Sequence, residues 1–363
     1  MRHYKNFLKD KIIFCNCDDP FESNFFKYFA LNFNYIGLKK LICTSYAGSP
    51  VAYTEFNDLP LFHRNERLPY MIEITEVPDL NDDGATDLSD IELLLRSNKN
   101  TLTLLDGDGD FRSEECVGFL EEADVVVTNP PFSLFNEYMA QLVKYNKDFI
   151  VLGNPNSLHY KDIFPYVQAS KILVGYKSMS ADMLFDVPEA FAKKLVAEKK
   201  EGSGYKIIDG VIKGRAQAIW MTSFGISKHN EEFIPYKKYN SSDYPRYVNY
   251  DAIDIKSVSE IPSDYYGKMG VPDSFLEFYN PEQFEIVGYG RGDFLPEIDY
   301  IPKDFLDEYR KQGGRGHVTT GMKSLCFYDS EGKARFPYSR IIIKYSEEWI
   351  RRHQNQLGES DEN

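Results

Sequence analysis

Two periodicities alternate along the first 230 or so residues. Residues 11–16 (KIIFCN) form a short apolar run that ends in a polar cluster, CDDP. Residues 22–34 then set Phe25, Phe26, Phe29, Leu31 and Phe33 close to helical spacing, and residues 39–44 (KKLICT) make a second strand-like run. Strand, helix and strand within about 35 residues predict a βαβ unit, the building block of a parallel sheet. The pattern resumes further on, with strands at 101–105, 123–128 (ADVVVT), 148–153 (DFIVLG), 171–175 and 217–224 (QAIWMTSF). Helices are predicted over 114–122 and 134–145, and a Gly-bounded stretch at 202–214 predicts a hairpin. The expected fold is a doubly wound, mostly parallel α/β sheet. Ligands in such sheets sit at the carboxyl ends of the strands, so the residues just after each strand matter most.

From about residue 236 helical periodicity fades into Tyr, Pro and short polar stretches until a last strand at 340–345 (RIIIKY). The expected organisation is a main domain over 1–235, with an insertion at about 50–100, and a C-terminal α+β region over 236–363. Its tail is expected to be disordered from about 354.

The chain has 363 residues, 42 Lys and Arg against 56 Asp and Glu, and a net charge of −14. That total argues against a histone-like protein or a membrane-surface peptide. Its distribution changes the picture. Residues 55–124 hold 19 acids and 5 bases, so the remainder is balanced. Residues 310–344 are basic, with eight Lys or Arg and only two acids. No apolar run approaches the ~20 residues that cross a bilayer, and the N-terminus MRHYKNFLKDKIIF has no signal-peptide layout. Five cysteines fit a reducing cytoplasm better than a disulfide framework.

The stretch that carries chemistry is Asn129-Pro130-Pro131-Phe132, between a β-branched strand and a helix. Consecutive prolines stiffen the backbone. A carbonyl held by that turn and the Asn129 amide oxygen make two fixed acceptors, which suit the two protons of a planar exocyclic –NH₂ group. Phe132 adds a face on which a base stacks. An amino group conjugated to a ring is a poor nucleophile; drawing its protons out of plane restores lone-pair character as an electrophile approaches. An ordinary Pro-Pro turn capping a helix is the plainer alternative.

NPPF after an apolar strand is the fourth signature of amino-group methyltransferases. With CNCDDPFESNFFKYF, NFNYIGLKKLICTSY, DGDGDFRSEE, ADVVVTNPPFSLF and GNPNSLHYKDIFPYV, the chain resembles the EcoRI family of adenine-specific DNA methyltransferases. YDAIDIKSVSEIPSDYYGKMGVPDSFLEFYNPEQFEIVG extends the resemblance, which covers roughly residues 11–288, and RFPYSRIIIKY is similar as well. The resemblance implies a Rossmann-like class I domain, S-adenosylmethionine as cofactor, and methylation of adenine N6 in duplex DNA within a restriction-modification setting. By it, Asn129 to Phe132 hold the target adenine, Asp18 occupies the cofactor loop, and Asp110 and Phe111 contact the cofactor's adenine. It also implies a restriction endonuclease counterpart and makes 236–363 the target-recognition region. Family members carry a DEFYT-like segment before the first strand, and this chain begins about where that segment ends, so weakened cofactor affinity is expected. Methylation of RNA or of a protein glutamine, and a catalytically silent DNA-binding relative, are the alternatives.

Two further constellations stand out. Asp79, Asn81, Asp83, Asp87 and Asp90, with Gly84 at the sixth position, match calcium-loop spacing. An acidic turn with an Asp N-cap is the equal alternative. Arg310, Lys311 and Arg315 begin the basic stretch and are candidates for holding DNA phosphates, against a solvated basic face. Gly288-Tyr-Gly290-Arg-Gly292 reads as a plain loop, and the six histidines have no zinc spacing.

Overall fold

The computed structural model describes residues 1–17, 19–20, 23–47, 69–80, 84, 86–87, 90–91, 93–94 and 102–360, with side chains as far as His353. The chain forms two compact units. The first comprises Met1–Leu158 and Leu173–Phe224, the second His159–Ile172 and Gly225–Asn363.

The first unit is built on an eight-stranded sheet. Its strands are β1 (Ile12–Cys15), β2 (Lys40–Thr44), β3 (Tyr70–Ile74), β4 (Leu102–Leu104), β5 (Val125–Thr128), β6 (Asp148–Gly153), β7 (Leu173–Val174) and β11 (Ile219–Thr222). The order is β4-β3-β2-β1-β5-β6-β11-β7. The centre β2-β1-β5-β6 is parallel, with Ile13 opposite Val125 and Thr128 opposite Val151. Ile13, Phe14, Val125, Val126 and Val127 are fully buried, which is why these strands read as unbroken apolar runs. Helices α1 (Asn24–Leu31), α2 (Glu114–Glu122) and α3 (Phe135–Lys144) fall within the predicted windows, α2 with the predicted ends. Ser23 and Ser113 cap α1 and α2 through their hydroxyls.

Two strands of this sheet run against the rest. β3 pairs antiparallel with β2, and β11 inserts antiparallel between β6 and β7. β3 has no counterpart among the predicted strands, although its YMIEI burial alternates between buried and half-buried. The predicted hairpin forms as β9 (Tyr205–Ile208) and β10 (Val211–Ala216), joined by Asp209 and Gly210 at φ 49° and 77°, a two-residue turn in the left-handed region. β8 (Met183–Asp186) pairs with β10 to complete a three-stranded sheet.

The second unit holds the sheet β12-β13-β17-β14, from Ile253–Asp254, Met269–Pro272, Arg340–Tyr345 and Phe284–Tyr289. The fully buried Ile341, Ile342 and Ile343 of its inner strand carry the core. β15 (Phe327–Tyr328) and β16 (Ala334–Arg335) pair as a separate ribbon. This region is more regular than its faded periodicity predicts, because β12, β13, β15 and β16, at two to four residues each, are too short to show a period. Residues 159–172 belong to this unit: Gln168 Nε2 donates to the carbonyls of Ile286 and Val287 at 3.1 and 2.9 Å, and Ser170 Oγ lies 3.1 Å from Tyr279 Oη. A longer helix spans Lys303–Lys311, and the last helix runs over Glu347–Ser360.

Candidate active site

From β1 the chain steps outward through β2, β3 and β4, then returns to the other side of β1 as β5. The strand order therefore reverses between β1 and β5, and an open α/β sheet leaves a crevice beyond the strand ends at such a point. A cavity of about 580 Å³ lies there, lined by Cys17 after β1, Tyr46 after β2, Gly109 to Arg112 after β4, and Asn129 to Leu134 after β5.

The two strand ends are tied together. Thr128 Oγ1 donates to the Asn16 carbonyl, and Tyr138 Oη, from α3, donates to Asn16 Oδ1. Cys17 follows in the left-handed region at φ 63°, a conformation that non-glycine residues adopt at a cost. After Asn129 the buried Pro130 leads to Pro131 at φ −63°, ψ 120°. The Pro131 carbonyl accepts from Leu134 N–H at 3.0 Å, closing the short 3₁₀ turn Phe132–Leu134. The Pro130 carbonyl accepts nothing among the described residues. Of the two proline carbonyls, it is therefore the one available beside Asn129. Phe132 is 47% exposed on the cavity wall.

The opposite wall is the DGDGDF loop. Gly109 sits at φ +76°, and a Cβ there would lie 2.1 Å from the Ser45 carbonyl oxygen, so only glycine lets this loop approach the end of β2. Asp110 is gripped by Arg112: Nε donates to Oδ1 at 2.9 Å and Nη2 to Oδ2 at 2.8 Å. Those bonds hold the Asp110 carboxyl below its ordinary range. Arg112 also reaches Glu137 on α3 at 3.0 Å. Phe111 is buried against Tyr138, ring centroids 5.1 Å apart, so it offers the cavity a fixed wall rather than a free-standing platform.

The structure thus brings Asp110, Phe111, Asn129, Pro130, Pro131 and Phe132 around one cavity. Asp18 lies outside the described residues; its neighbour Asp19 is buried and accepts from Tyr70 Oη at 3.0 Å. Sequence reasoning missed Cys17, Tyr46, Gly109, Arg112, Ser133 and Leu134. Position after a strand is the signal that would have found the first two.

Arg310, Lys311 and Arg315 are exposed in the second unit, at and just after the helix Lys303–Lys311. Arg310 Nη2 donates to the Val318 carbonyl at 3.0 Å, and Tyr309 Oη to the Arg315 carbonyl at 2.9 Å, which shapes the intervening loop. The rest of the basic stretch is paired: Lys323 with Asp293, Lys333 with Glu331, Arg335 with Asp329, Arg340 with Asp254 and Lys344 with Glu285. Lys311 stands 3.8 Å from Glu308, while Arg310 and Arg315 have no ion pair among the described residues.

The calcium reading of the acidic loop gains no support. Among the described residues no group of three or more His, Cys, Asp or Glu is placed to hold a metal. Asp90 is fully buried and accepts from the Leu80 and Asp87 N–H groups at 2.7 and 2.9 Å, and Asp79 Oδ2 accepts from Gly84 N–H at 2.8 Å. These carboxylates close a turn, while Asn81 and Asp83 lie outside the described residues.

A mostly parallel sheet with its last strand reversed between β6 and β7, and a cavity at the β1/β5 switch point, define the class I methyltransferase layout. The family model described as adenine-specific methyltransferase EcoRI matches residues 1–346, and the chain belongs to that family of site-specific DNA methyltransferases. The type II methyltransferase M.EcoRI of Escherichia coli is 36% identical over 298 residues, covering 80% of this chain and 82% of that protein. M.MgeORF184P of Mycoplasma genitalium is 35% identical over 332 residues (88% and 90%), and M.MpnI of Mycoplasma pneumoniae 30% over 334 (88% and 89%). No solved structure matches. None of the described helices is long and apolar enough to cross a membrane.

Proposed function

We propose that this chain methylates N6 of adenine in a specific duplex DNA sequence, with the target base flipped into the cavity at Asn129. The observation that carries the reading is one cavity with two chemically different walls: Asn129 and Pro130 beside the exposed ring of Phe132, and the carboxylate of Asp110. Adenine N6 lies inside the duplex, so reaching these acceptors requires extrusion of the nucleotide. Phe132 then stacks on the base, while Asn129 Oδ1 and the Pro130 carbonyl accept hydrogen bonds from the two N6–H groups. Both acceptors are preorganised for the positive charge that develops at N6, and no covalent nucleophile is needed.

The other wall fits S-adenosylmethionine. Asp110, kept charged by Arg112, accepts from an exocyclic amine, and the cavity's 580 Å³ lies within the ~300–1,000 Å³ of small-molecule sites. When bound, that cofactor supplies an electrophilic methyl group. Asp18 and the Phe111 wall complete its subsite in this proposal. Arg310, Lys311 and Arg315 hold DNA phosphates, an assignment supported by their exposure and by the two arginines that no acid engages among the described residues. Residues 236–363 are the target-recognition region in this reading. A reducing cytoplasm, beside a restriction endonuclease of the same specificity, is its setting.

The test is transfer of labelled methyl from S-adenosylmethionine to DNA, RNA and protein, with the labelled product digested and identified. N6-methyladenine in duplex DNA is expected. Label appearing only in RNA or in glutamine, or no transfer at all, overturns the proposal.

A further inference from the structure

The sheet edge that bears Asn129 carries a second, smaller depression of about 230 Å³ one strand further along. Its floor is Asn154-Pro155-Asn156, directly after β6, and its far wall is the segment from Arg215 to Ala218 that leads into β11. Thr128 pairs with Val151, so Asn129 and Asn154 leave neighbouring strands at the same edge, within roughly 10 Å given the usual strand spacing and rise. A nucleotide held at Asn129 stays covalently tied to its neighbours. The next residue of its strand therefore falls within reach of this floor.

The lining chemistry is that of base recognition rather than phosphate binding. The one carboxylate in the wall, Asp182, is taken up by Arg215 and Lys206, and Arg215 Nη1 is further engaged by the Gly202 carbonyl at 2.7 Å. What remains is uncharged. Asn154 Oδ1 accepts from Asn156 N–H at 2.9 Å, and that turn, with Pro155 inside it, presents the exposed Asn156 amide. Across from it stands Gln217, exposed, with no side-chain partner among the described residues. An amide side chain offers one donor and one acceptor side by side, the pattern that matches a base edge and adenine's in particular.

We infer that this depression is a specificity subsite that reads the base adjacent to the target adenine on the same strand, through Asn156 and Gln217. The inference rests on the proposed adenine methylation, and its test separates the two. Methylated positions are first mapped by sequencing unmodified plasmid DNA treated with the wild-type protein, which gives the recognition sequence. Asn156→Ala and Gln217→Ala are then compared with wild type on the cognate duplex and on duplexes changed at each position. Cognate kcat/KM is expected to fall about 10- to 100-fold, with discrimination lost at one base flanking the target and kept elsewhere.

Equal loss on every sequence, or unchanged discrimination at both flanking bases, overturns the inference alone. A wild-type protein that methylates no adenine overturns the underlying proposal as well. Both residues are at the surface, so melting temperatures are expected to stay at the wild-type value. Should either variant fold poorly, the wild-type protein is assayed instead on duplexes with base analogues lacking single hydrogen-bonding groups at the flanking positions. No single-group dependence at either flanking base is the overturning result.

Discussion

The cavity of the first unit and the basic stretch of the second differ in what holds their side chains in place. At the cavity, buried strands end in residues that are hydrogen-bonded to each other across the switch point, and Arg112 locks Asp110 with two bonds. Along 310–344 most cations are tied to acids, four of them at the surface and one, Asp254, buried, and the few that are not sit beside a loop. In the proposed function, chemistry that needs a fixed geometry falls on the rigid element, while attraction to a polyanion needs only charge within a Debye length. A high density of Lys and Arg alone does not locate a DNA-binding surface. Within 310–344, setting aside the cations held by acids leaves Arg310 and Arg315 among the described residues, with Lys311 loosely held, as the candidates for the proposed phosphate contacts.

The sharpest way to break the comparison is Asn129→Ala. Methyl transfer is expected to fall about 10²- to 10³-fold in kcat, with cofactor affinity unchanged by calorimetric titration; a modest loss would deny the cavity its role. Gly109→Val comes next. Its side chain has no room against Ser45 and the backbone is in the left-handed region, so a destabilisation of about 2–4 kcal/mol is expected in thermal melting. Replacing Arg310, Lys311 and Arg315 together with Ala should flatten the salt dependence of DNA binding, by about 0.9 in log–log slope for each phosphate that is no longer neutralised. Transfer at saturating DNA should be retained.

Arg112→Ala is a subtler probe. Asp110's folded-state carboxyl lies below its unfolded value, so its contribution is complete above that value, near pH ~4, and is lost as pH falls through the folded one. Without Arg112 that loss moves upward in pH, and the acid limb of cofactor binding, followed by titration at several pH values, should move with it. The smallest effect is expected for Lys333→Ala with Arg335→Ala, whose cations are already committed to Glu331 and Asp329. DNA affinity should change by less than about 0.5 kcal/mol, and a larger loss would erase the distinction between paired and unpaired cations.

The parts legible in the sequence are those with a strong local signal. Continuous apolar runs announced β1, β2, β5 and β6, and the rigid NPPF turn announced one cavity wall. The antiparallel insertion of β11 was not legible, because strand direction depends on where distant residues pair. Arg112 was missed for a similar reason: its grip on Asp110 is local, but its value depends on the cavity the loop faces. Residues 159–172 carry no predicted element before the strand at 171, and nothing local in them names the unit they join.

That last segment has a consequence for synthesis. Gln168 finds its carbonyl acceptor 118 residues later, at Ile286. At about 5–20 residues per second on a ribosome, the segment waits roughly 6–24 s for its partners, with Ile163, Phe164 and Val167 meanwhile lacking the surroundings that bury them. A nascent chain stopped near residue 224 would display that apolar stretch, so the emerging protein has a built-in interval in which a chaperone that holds exposed hydrophobic segments can act.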